Sequence, residues 1–308
     1  ANVVVVGGGS AGLVTSLIVA GAKAKVVLVE KHRMGGDCLY TGCVPSKSII
    51  RSGRIMSYIR RAADYGIVDA AGKVDFAAVM QRVQGVIETI EPPERFTSLG
   101  VDCMSGAARL ISPYEVEVGG KIITTESIVI ASGARPFVPP VPGLVDIDYL
   151  TSDNVWSLTE LPPRLLVVGG GPIGCELAQA FSHLGSKVTQ VDMAARIMPR
   201  EDDDVSAAVS ARFLEHGIDL LTGHKLLKFE TVDGEHFMEA EHEGSTVRVA
   251  FDKVLLAIGR KANTEDFGLE EIGVALTPQG TIEVNEFLQT SLPNIFACGD
   301  VAGPYQFT

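Results

Sequence analysis

The chain has 308 residues, 46% of them hydrophobic and 21% charged, and a formal net charge of −12. This length exceeds one ordinary domain and suits two, and the composition predicts buried cores rather than extensive disorder. The negative charge argues against nucleic acid as a partner, because its phosphates would be repelled. No apolar run approaches the roughly 18–20 residues that span a bilayer, and no signal peptide opens the chain, so a cytoplasmic location is expected.

An internal repeat organises the chain. Residues 3–12 read VVVVGGGSAG and residues 165–174 read LLVVGGGPIG, an offset of 162 positions. In both copies an apolar strand runs into a glycine-rich turn and a helix-like segment. A second strand then ends in an acid, at Glu30 in the first copy and at Asp192 in the second, again 162 positions apart.

Such a strand–turn–helix–strand–acid unit has the features of a dinucleotide site. The first glycine makes a tight turn, the second lets the backbone approach a pyrophosphate, and the third lets helix and strand pack closely. The helix N-terminus presents N–H groups to the phosphates, and the acid can accept a hydrogen bond from a ribose hydroxyl. The alternative is a pair of structural turns that hold no ligand. Two dinucleotides would imply two carriers that exchange electrons.

The residues between the two repeats are less regular. Their pattern predicts two helices and an antiparallel meander of short strands. The predicted helices are 46–66 and 74–90, and the predicted strands lie around 101–104, 114–118 and 121–130. The Pro- and Gly-rich stretch 131–143 is typical of a connector out of a first domain. Near the end, a further strand at 295–298 runs into a Gly-Asp turn.

Two cysteines, Cys38 and Cys43, lie five positions apart in the segment GGDCLYTGCVPSK. Cysteine zinc sites normally use closer pairs and about four ligands, and His32 is the only neighbouring candidate, so no metal site is predicted. A static crosslink would be unusual in a reducing compartment, and so short a loop contributes little chain-entropy stabilisation. The remaining thiols are expected to be small core residues; they are Cys103, Cys175 and Cys298.

A redox pair explains more of the surroundings of these cysteines. Pro45 suits the first turn of a helix, which places both cysteines at or just before a helix N-terminus. There the helix dipole favours a thiolate, and Lys47 adds a positive charge. A thiolate beside an oxidised flavin can pass electrons, which suggests that the first dinucleotide is FAD.

Together these motifs resemble those of the pyridine nucleotide–disulfide oxidoreductases, the flavoproteins that include dihydrolipoamide dehydrogenase, glutathione reductase and mercuric reductase. The matching segments follow the family's order: VVVVGGGSAG with Glu30, GGDCLYTGCVPSK, LLVVGGGPIGCELA with Asp192, LLAIGRKANTEDFGLEEIGV at 255–274 and FACGDVAG at 296–303. The resemblance implies an α/β fold of two Rossmann-like, three-layer domains, each with a parallel sheet and an antiparallel β-meander. The FAD-binding domain is expected at 1–150 plus 281–308, and the NAD(P)-binding domain is expected to be inserted at 151–280.

The resemblance also assigns roles to residues. Cys43 would be the sulfur next to the flavin, Cys38 would attack the substrate, and Lys47 would pair with Glu176 near the flavin. The residues implied for FAD are Gly7, Gly9, Ser10, Ala11, Gly12, Glu30, Lys31, Gly36, Asp37, Ala107, Ser132, Gly133 and Asp300. The residues implied for the nicotinamide dinucleotide are Gly169, Gly171, Ile173, Gly174, Asp192 and Gly259. An acid at 192 favours NAD(H) over NADP(H), because it accepts from a 2′-hydroxyl and repels a 2′-phosphate.

The implied function is an FAD-dependent enzyme that passes a hydride between NAD(P)H and FAD. Electrons would continue to the Cys38–Cys43 disulfide and to a small-molecule disulfide or a metal-ion acceptor. Family members are homodimers whose C-terminal interface domain supplies a His–Glu pair. No histidine here lies in a matching motif, so we expect a truncated form that is impaired in turnover of disulfide substrates. The alternative is a flavin-binding redox sensor or docking module with little turnover.

Overall fold

The computed structural model describes residues 1–90 and 94–304. The described residues divide into two compact units. Unit 1 consists of Ala1–Tyr40, Thr89–Arg135 and Arg260–Thr308, and unit 2 consists of Thr41–Glu88 and Pro136–Gly259. Two of these boundaries, after Arg135 and Gly259, fall earlier in the chain than the predicted domain boundaries after residues 150 and 280, and residues 41–88, predicted for the FAD-binding domain, belong to unit 2. The assignment of FAD and NAD(P) to the two domains stays a prediction.

Strands and helices alternate around the two glycine-rich turns, and runs of consecutive strands make up much of the rest. The strands are β1 (Val3–Val6), β2 (Val26–Glu30), β3 (Val101–Ser105), β4 (Ala108–Ser112), β5 (Glu115–Val118), β6 (Lys121–Thr124), β7 (Ser127–Ile130), β8 (Ala134–Pro136), β9 (Arg164–Val168), β10 (Lys187–Asp192), β11 (Asp219–Thr222), β12 (Lys225–Val232), β13 (Glu235–His242), β14 (Ser245–Phe251), β15 (Lys253–Leu256), β16 (Arg260–Ala262) and β17 (Ile295–Ala297). The helices are α1 (Ser10–Gly21), α2 (Gly36–Tyr40), α3 (Cys43–Arg60), α4 (Phe76–Thr89), α5 (Glu94–Ser98), α6 (Pro172–Leu184) and α7 (Asp203–Glu215). In the part of the chain that the structure describes, no helix is long and apolar enough to cross a membrane.

Unit 1 is built on a parallel sheet with the strand order β17-β7-β1-β2-β3. The strands are almost continuously apolar because both faces of the sheet are covered. The face that carries Val4 and Val6 packs against the antiparallel meander β4-β5-β6 through Leu110 and Val116. The opposite face, which carries Val5, packs against α1. Helix, sheet and meander therefore form three layers.

Unit 2 repeats this plan. Its parallel sheet has the order β15-β9-β10-β11, which matches β7-β1-β2-β3 of unit 1 strand for strand. One face of this sheet, with Leu166 and Val168, packs against the meander β12-β13-β14 through Phe229, Met238 and Phe251. The α6 helix contacts β9 and β10. The predicted fold class, two Rossmann-like units each with a parallel sheet and a meander, is confirmed.

Some of the predicted elements have different limits. The helix predicted at 46–66 begins earlier, at Cys43, and ends at Arg60, where a short 3-10 segment, Ala62–Tyr65, follows. The strand predicted at 121–130 is two strands that belong to different sheets, and between them the Thr125 hydroxyl is shared between the carbonyls of Asn2 and Ser127. Strand β4 was not predicted. Only one of its five residues, Leu110, is fully in the core, so its apolar signal is weak.

Two histidine rings pack edge to face within unit 2. His183 lies on α6 and His216 follows α7, with Nε2 of His183 3.2 Å from Nδ1 of His216 and the ring centroids 4.4 Å apart. Burial lowers the pKa of His183 to about 4, and the positive potential of His216, Arg60 and Arg61 lowers this pKa further in the same direction. The neutral imidazole therefore belongs to the folded state.

We expect stability to fall in mild acid because of His183. Above its ordinary pKa of 6.5 the side chain is neutral in both states and has no effect. As the pH falls from 6.5 towards about 4, the unfolded chain takes up a proton that the folded chain refuses. The free energy of unfolding should then decrease by on the order of 1–3 kcal/mol. Urea unfolding over this range should be less pH-dependent for His183→Gln than for the parent chain. Equal slopes for parent and His183→Gln would contradict this prediction.

Candidate functional site

The turn between β1 and α1 requires glycine at two positions for reasons internal to the fold. Gly7 has φ +108°, and a Cβ there would lie 2.3 Å from the carbonyl oxygen of Ala131. A Cβ on Gly12 would lie 1.9 Å from the carbonyl oxygen of Gly7. No side chain can replace either glycine without a backbone shift.

The turn between β9 and α6 repeats this geometry 162 residues later. Gly169 has φ +116°, and a Cβ there would lie 2.3 Å from the carbonyl oxygen of Ala257. A Cβ on Gly174 would lie 2.2 Å from the carbonyl oxygen of Gly169. The predicted Ile173 lies in the first turn of α6. The two turns are thus close copies in structure as well as in sequence.

The middle glycine of each turn has no such internal reason. Gly9 and Gly171 have φ −78° and −77°, which any residue can adopt. A Cβ on Gly171 would meet no atom within 4 Å, and one on Gly9 would make only an ordinary contact with Cα of Gly36 at 3.8 Å. Each is the N-cap of its helix, and within the described part of the chain neither helix has a side-chain cap on its first N–H groups. Open space in front of uncapped N–H groups fits a pyrophosphate that approaches the backbone.

The two acids are fixed at the rim of these turns by equivalent bonds. Oε2 of Glu30 accepts from the N–H of Gly8 at 2.6 Å, and Oε1 accepts from the N–H of the residue two positions after Glu30 at 2.7 Å. Oδ2 of Asp192 accepts from the N–H of Gly170 at 2.5 Å, and Oδ1 accepts from the N–H of the residue two positions after Asp192 at 2.7 Å. Each carboxylate keeps lone pairs that could accept from a ribose hydroxyl.

Unit 1 also holds a nearly buried arginine between two of the predicted FAD residues. The Arg260 side chain is 5% exposed; it pairs with Asp37, lies 3.3 Å from Oδ2 of Asp300 and donates to the carbonyl of Ala134 at 2.7 Å. Burial raises the pKa of Asp300, and the attraction of Arg260 opposes this rise only in part. Arg260 was not among the predicted site residues, although it lies inside the quoted segment LLAIGRKAN. The available signal was a pair of cations, Arg260 and Lys261, directly after an apolar strand.

The connector after β7 is held by a second residue that sequence reasoning missed. Ser132 Oγ donates to the carbonyl of Asn263 at 2.8 Å, and Asn263 Nδ2 donates to the carbonyl of Ser132 at 2.9 Å. The N–H of Asn263 donates to the carbonyl of Gly133 at 2.9 Å, and Arg135 donates to Oδ1 of Asn263 at 2.9 Å. Ser132 and Gly133 are therefore held in one backbone conformation.

The other predicted FAD residues lie after parallel strands or at the start of α1 or α2. Ser10 and Ala11 form the first turn of α1, and Gly36 lies so close to Gly9 that a Cβ would be 2.6 Å from its Cα. Lys31 and Ala107 are exposed and follow β2 and β3. In unit 2, Gly259 has φ +129° and its carbonyl accepts from the N–H of Phe137 at 3.0 Å.

The cysteine segment contains two successive helices. Cys38 lies in α2 and is half-buried, and Cys43 is the first residue of α3, whose N-cap is Gly42. One turn along α3, Lys47 Nζ lies 2.9 and 2.8 Å from the two carboxylate oxygens of Glu176 on α6. The predicted ion pair is thus present, while its part in catalysis stays a prediction.

The remaining thiols are held protonated by their surroundings. Cys175, directly after the second glycine turn, is buried and donates to the carbonyl of Gly170 at 3.4 Å. Burial raises its pKa to about 11. Burial likewise raises the pKa of Cys103 and Cys298. Across residues 1–90 and 94–304, no group of three or more His, Cys, Asp or Glu side chains could hold a metal ion.

The fold and the paired turns define a protein of the FAD/NAD-binding Rossmann-like class. Sequence comparison gives the family: a family described as pyridine nucleotide-disulphide oxidoreductase matches residues 1–308. The chain belongs to this family. Membership of this family implies a redox function and the use of flavin and pyridine nucleotide cofactors.

Individual relatives carry several names. The chain is 35% identical to a mercuric reductase of Staphylococcus aureus over 99% of its length, and it spans 56% of that relative. It is 33% identical to a dihydrolipoyl dehydrogenase of Acholeplasma laidlawii, of which it spans 90%. Among solved structures, the HOCl-induced flavoprotein disulfide reductase RclA of Escherichia coli matches with a TM-score of 0.86 and 29% identity, over 100% of this chain and 67% of that one.

Proposed function

We propose that the chain is an FAD-dependent oxidoreductase that uses NADH to reduce the Cys38–Cys43 disulfide. The observation that supports this most strongly is the open space at the middle glycine of both turns. A side chain at Gly9 or Gly171 would meet no close protein atom, whereas the first and third glycines of each turn are required by close backbone contacts. Two positions kept small without an internal reason point to two ligands, and each ligand would bring a pyrophosphate to a helix N-terminus.

FAD is assigned to the first turn. The N–H groups of α1 would hold the pyrophosphate, and Glu30 would accept from the adenosine ribose. Asp300, kept in place by Arg260, would accept from hydroxyls of the ribityl chain. Bound FAD would supply a two-electron carrier between the nicotinamide and the disulfide.

NADH rather than NADPH is assigned to the second turn. Asp192 would accept from the ribose 2′-hydroxyl and would repel a 2′-phosphate. A nearby cation could reverse this preference, but the closest in sequence, Arg196, is already engaged. It pairs with Asp203 and donates to the carbonyls of Pro199 and Glu201 at 3.3 and 3.0 Å.

The cysteine segment would act as the electron relay. Reduction of its disulfide adds two electrons and one proton and breaks the S–S bond, leaving a thiolate at Cys43, at the start of α3, and a thiol at Cys38. The dipole of that helix favours a thiolate at Cys43, and the Lys47 ammonium one turn further adds a positive charge. Glu176 holds this ammonium with both carboxylate oxygens. Cys38, in its own short helix, would then attack the acceptor.

The acceptor is proposed only by chemical class, as a small-molecule disulfide or a metal ion. Relatives that match this chain are named for both kinds of chemistry. The chain spans just over half of the mercuric reductase, so the activity of the whole protein stays a proposal. The homodimer, the impaired turnover and the cytoplasmic location also stay predictions.

Anaerobic titration with NADH tests the proposal. The FAD-loaded protein should accept about two equivalents of NADH per flavin, since disulfide and flavin each take two electrons. A long-wavelength absorbance band from the Cys43 thiolate beside the flavin should appear after the first equivalent. Bleaching with one equivalent and without this band would contradict the relay. It would instead favour a flavin-binding sensor or docking module.

A further inference from the structure

The single tryptophan of the chain reaches the segment that joins the two cysteines. Trp156 lies in the short 3-10 segment Val155–Ser157 of unit 2 and is 6% exposed. Its indole Nε1–H is shared between two backbone carbonyls, that of Ser152 at 2.6 Å and that of Thr41 at 3.0 Å. Thr41 and Gly42 are the two residues that connect α2 to α3.

Burial of the ring explains only part of this arrangement. A buried indole N–H needs one acceptor, and the Ser152 carbonyl alone supplies it. The second acceptor, Thr41, belongs to the connection between Cys38 and Cys43. The backbone that carries the ring is also held in place, because Gln84 Nε2 on α4 donates to the carbonyl of Trp156 at 3.1 Å. A rigid donor therefore restrains one carbonyl of a two-residue connection.

We propose that Trp156 is a positioning residue for the redox pair, which it favours in the disulfide form. This inference rests on the proposed relay. A disulfide permits a narrow range of Cα separations and torsions, whereas a dithiol segment can explore many. The restraint on Thr41 is present in the structure while both cysteines are free thiols, so it lowers the conformational entropy that closure must remove. It thereby raises the effective concentration of one thiol at the other.

Removal of the indole N–H is expected to make the disulfide easier to reduce. Two variants of the FAD-loaded protein are compared with the parent: Trp156→Phe, and a protein with 3-benzothienylalanine at position 156, which keeps the two-ring shape but lacks the N–H. Each is equilibrated anaerobically with oxidised and reduced dithiothreitol. In this exchange the Cys38 and Cys43 thiols form an S–S bond and give two electrons and two protons to oxidised dithiothreitol. Alkylation and mass spectrometry of the peptide that contains both cysteines give the ratio of its disulfide form to its dithiol form.

The equilibrium constant for disulfide formation should fall about fivefold in both variants, a size typical of one lost hydrogen bond. For a two-electron couple this is a rise of about 20 mV in midpoint potential. Ser157→Ala is the matched control: it removes a hydrogen bond to the carbonyl of Asn154 in the same 3-10 segment and does not touch the cysteine connection. Its midpoint should equal that of the parent.

Each other result counts against the inference. An unchanged or more negative midpoint in the benzothienyl variant would overturn it even if Trp156→Phe failed to fold. An equal shift in Ser157→Ala would assign the effect to the segment rather than to the indole. A parent chain that forms no Cys38–Cys43 disulfide would overturn the proposed relay as well. A parent that titrates normally beside variants that do not shift would overturn the role of Trp156 alone.

Discussion

Gly171→Ala is expected to weaken NADH binding about 100-fold without lowering the thermal unfolding temperature. The added methyl meets no protein atom within 4 Å, so the fold can accommodate it. It does occupy the space in front of the α6 N-terminus, where the pyrophosphate would approach the backbone. Keeping the phosphates away from these N–H groups should cost about 3 kcal/mol of binding, which is about 100-fold in Kd. Calorimetric titration with NADH measures this effect.

Gly85→Ala is the matched control for this substitution. It is the same change in the same unit, at a helical glycine where a Cβ also meets nothing within 4 Å, and it should leave NADH affinity unchanged. For the first turn, Gly9→Ala should lower FAD retention during purification, with Gly21→Ala at the far end of α1 as its control. If Gly171→Ala bound NADH as tightly as the parent, the second turn would be structural only.

The flanking glycines should behave in the opposite way. Gly174→Ala places a Cβ 2.2 Å from the carbonyl oxygen of Gly169, and Gly12→Ala places one 1.9 Å from that of Gly7. Each forces helix and strand apart, so the unfolding temperature should fall together with binding. Loss of binding without loss of stability is therefore the signature expected at the middle glycines alone.

Sequence reasoning succeeded for the turns because their requirements are local and periodic. Strand, glycines, helix and acid follow one another within about thirty residues, as a dinucleotide-binding unit requires. The repeat at an offset of 162 then transfers each inference from one copy to the other. The hydrogen bonds of Glu30 and Asp192 to their own turns follow from the same local chain path.

The residues that were missed make contacts across long stretches of chain. Arg260 meets Asp37 from 223 residues away, and Asn263 meets Ser132 from 131 residues away. No periodicity links such positions, so they become visible only when the sheet brings strand ends together. Trp156 and Thr41, 115 residues apart, belong to the same class. Strand β4 was missed for a different reason, namely that Leu110 is its only fully buried residue.

Cys43→Ser and Cys38→Ser are expected to abolish turnover of a disulfide acceptor, each by at least about 10³-fold, because either change removes one partner of the relay. FAD content and unfolding temperature should stay close to those of the parent, since neither cysteine is fully buried. Cys103→Ser is the control: its thiol lies in β3, outside the redox segment, and burial raises its pKa. This control should turn over at the parent's rate in an NADH-dependent assay with a small disulfide.

The two serine variants should differ in their spectra, and this difference tests the assigned roles. Cys38→Ser keeps the sulfur at the start of α3, so a thiolate beside the flavin should give the long-wavelength band without any reduction. Cys43→Ser lacks that sulfur and should give no band at any stage of an NADH titration. Both variants should take up about one equivalent of NADH per flavin, because only the flavin remains to accept two electrons. The opposite pattern would exchange the roles of the two cysteines, and a band in both would mean that neither sulfur has a fixed position beside the flavin.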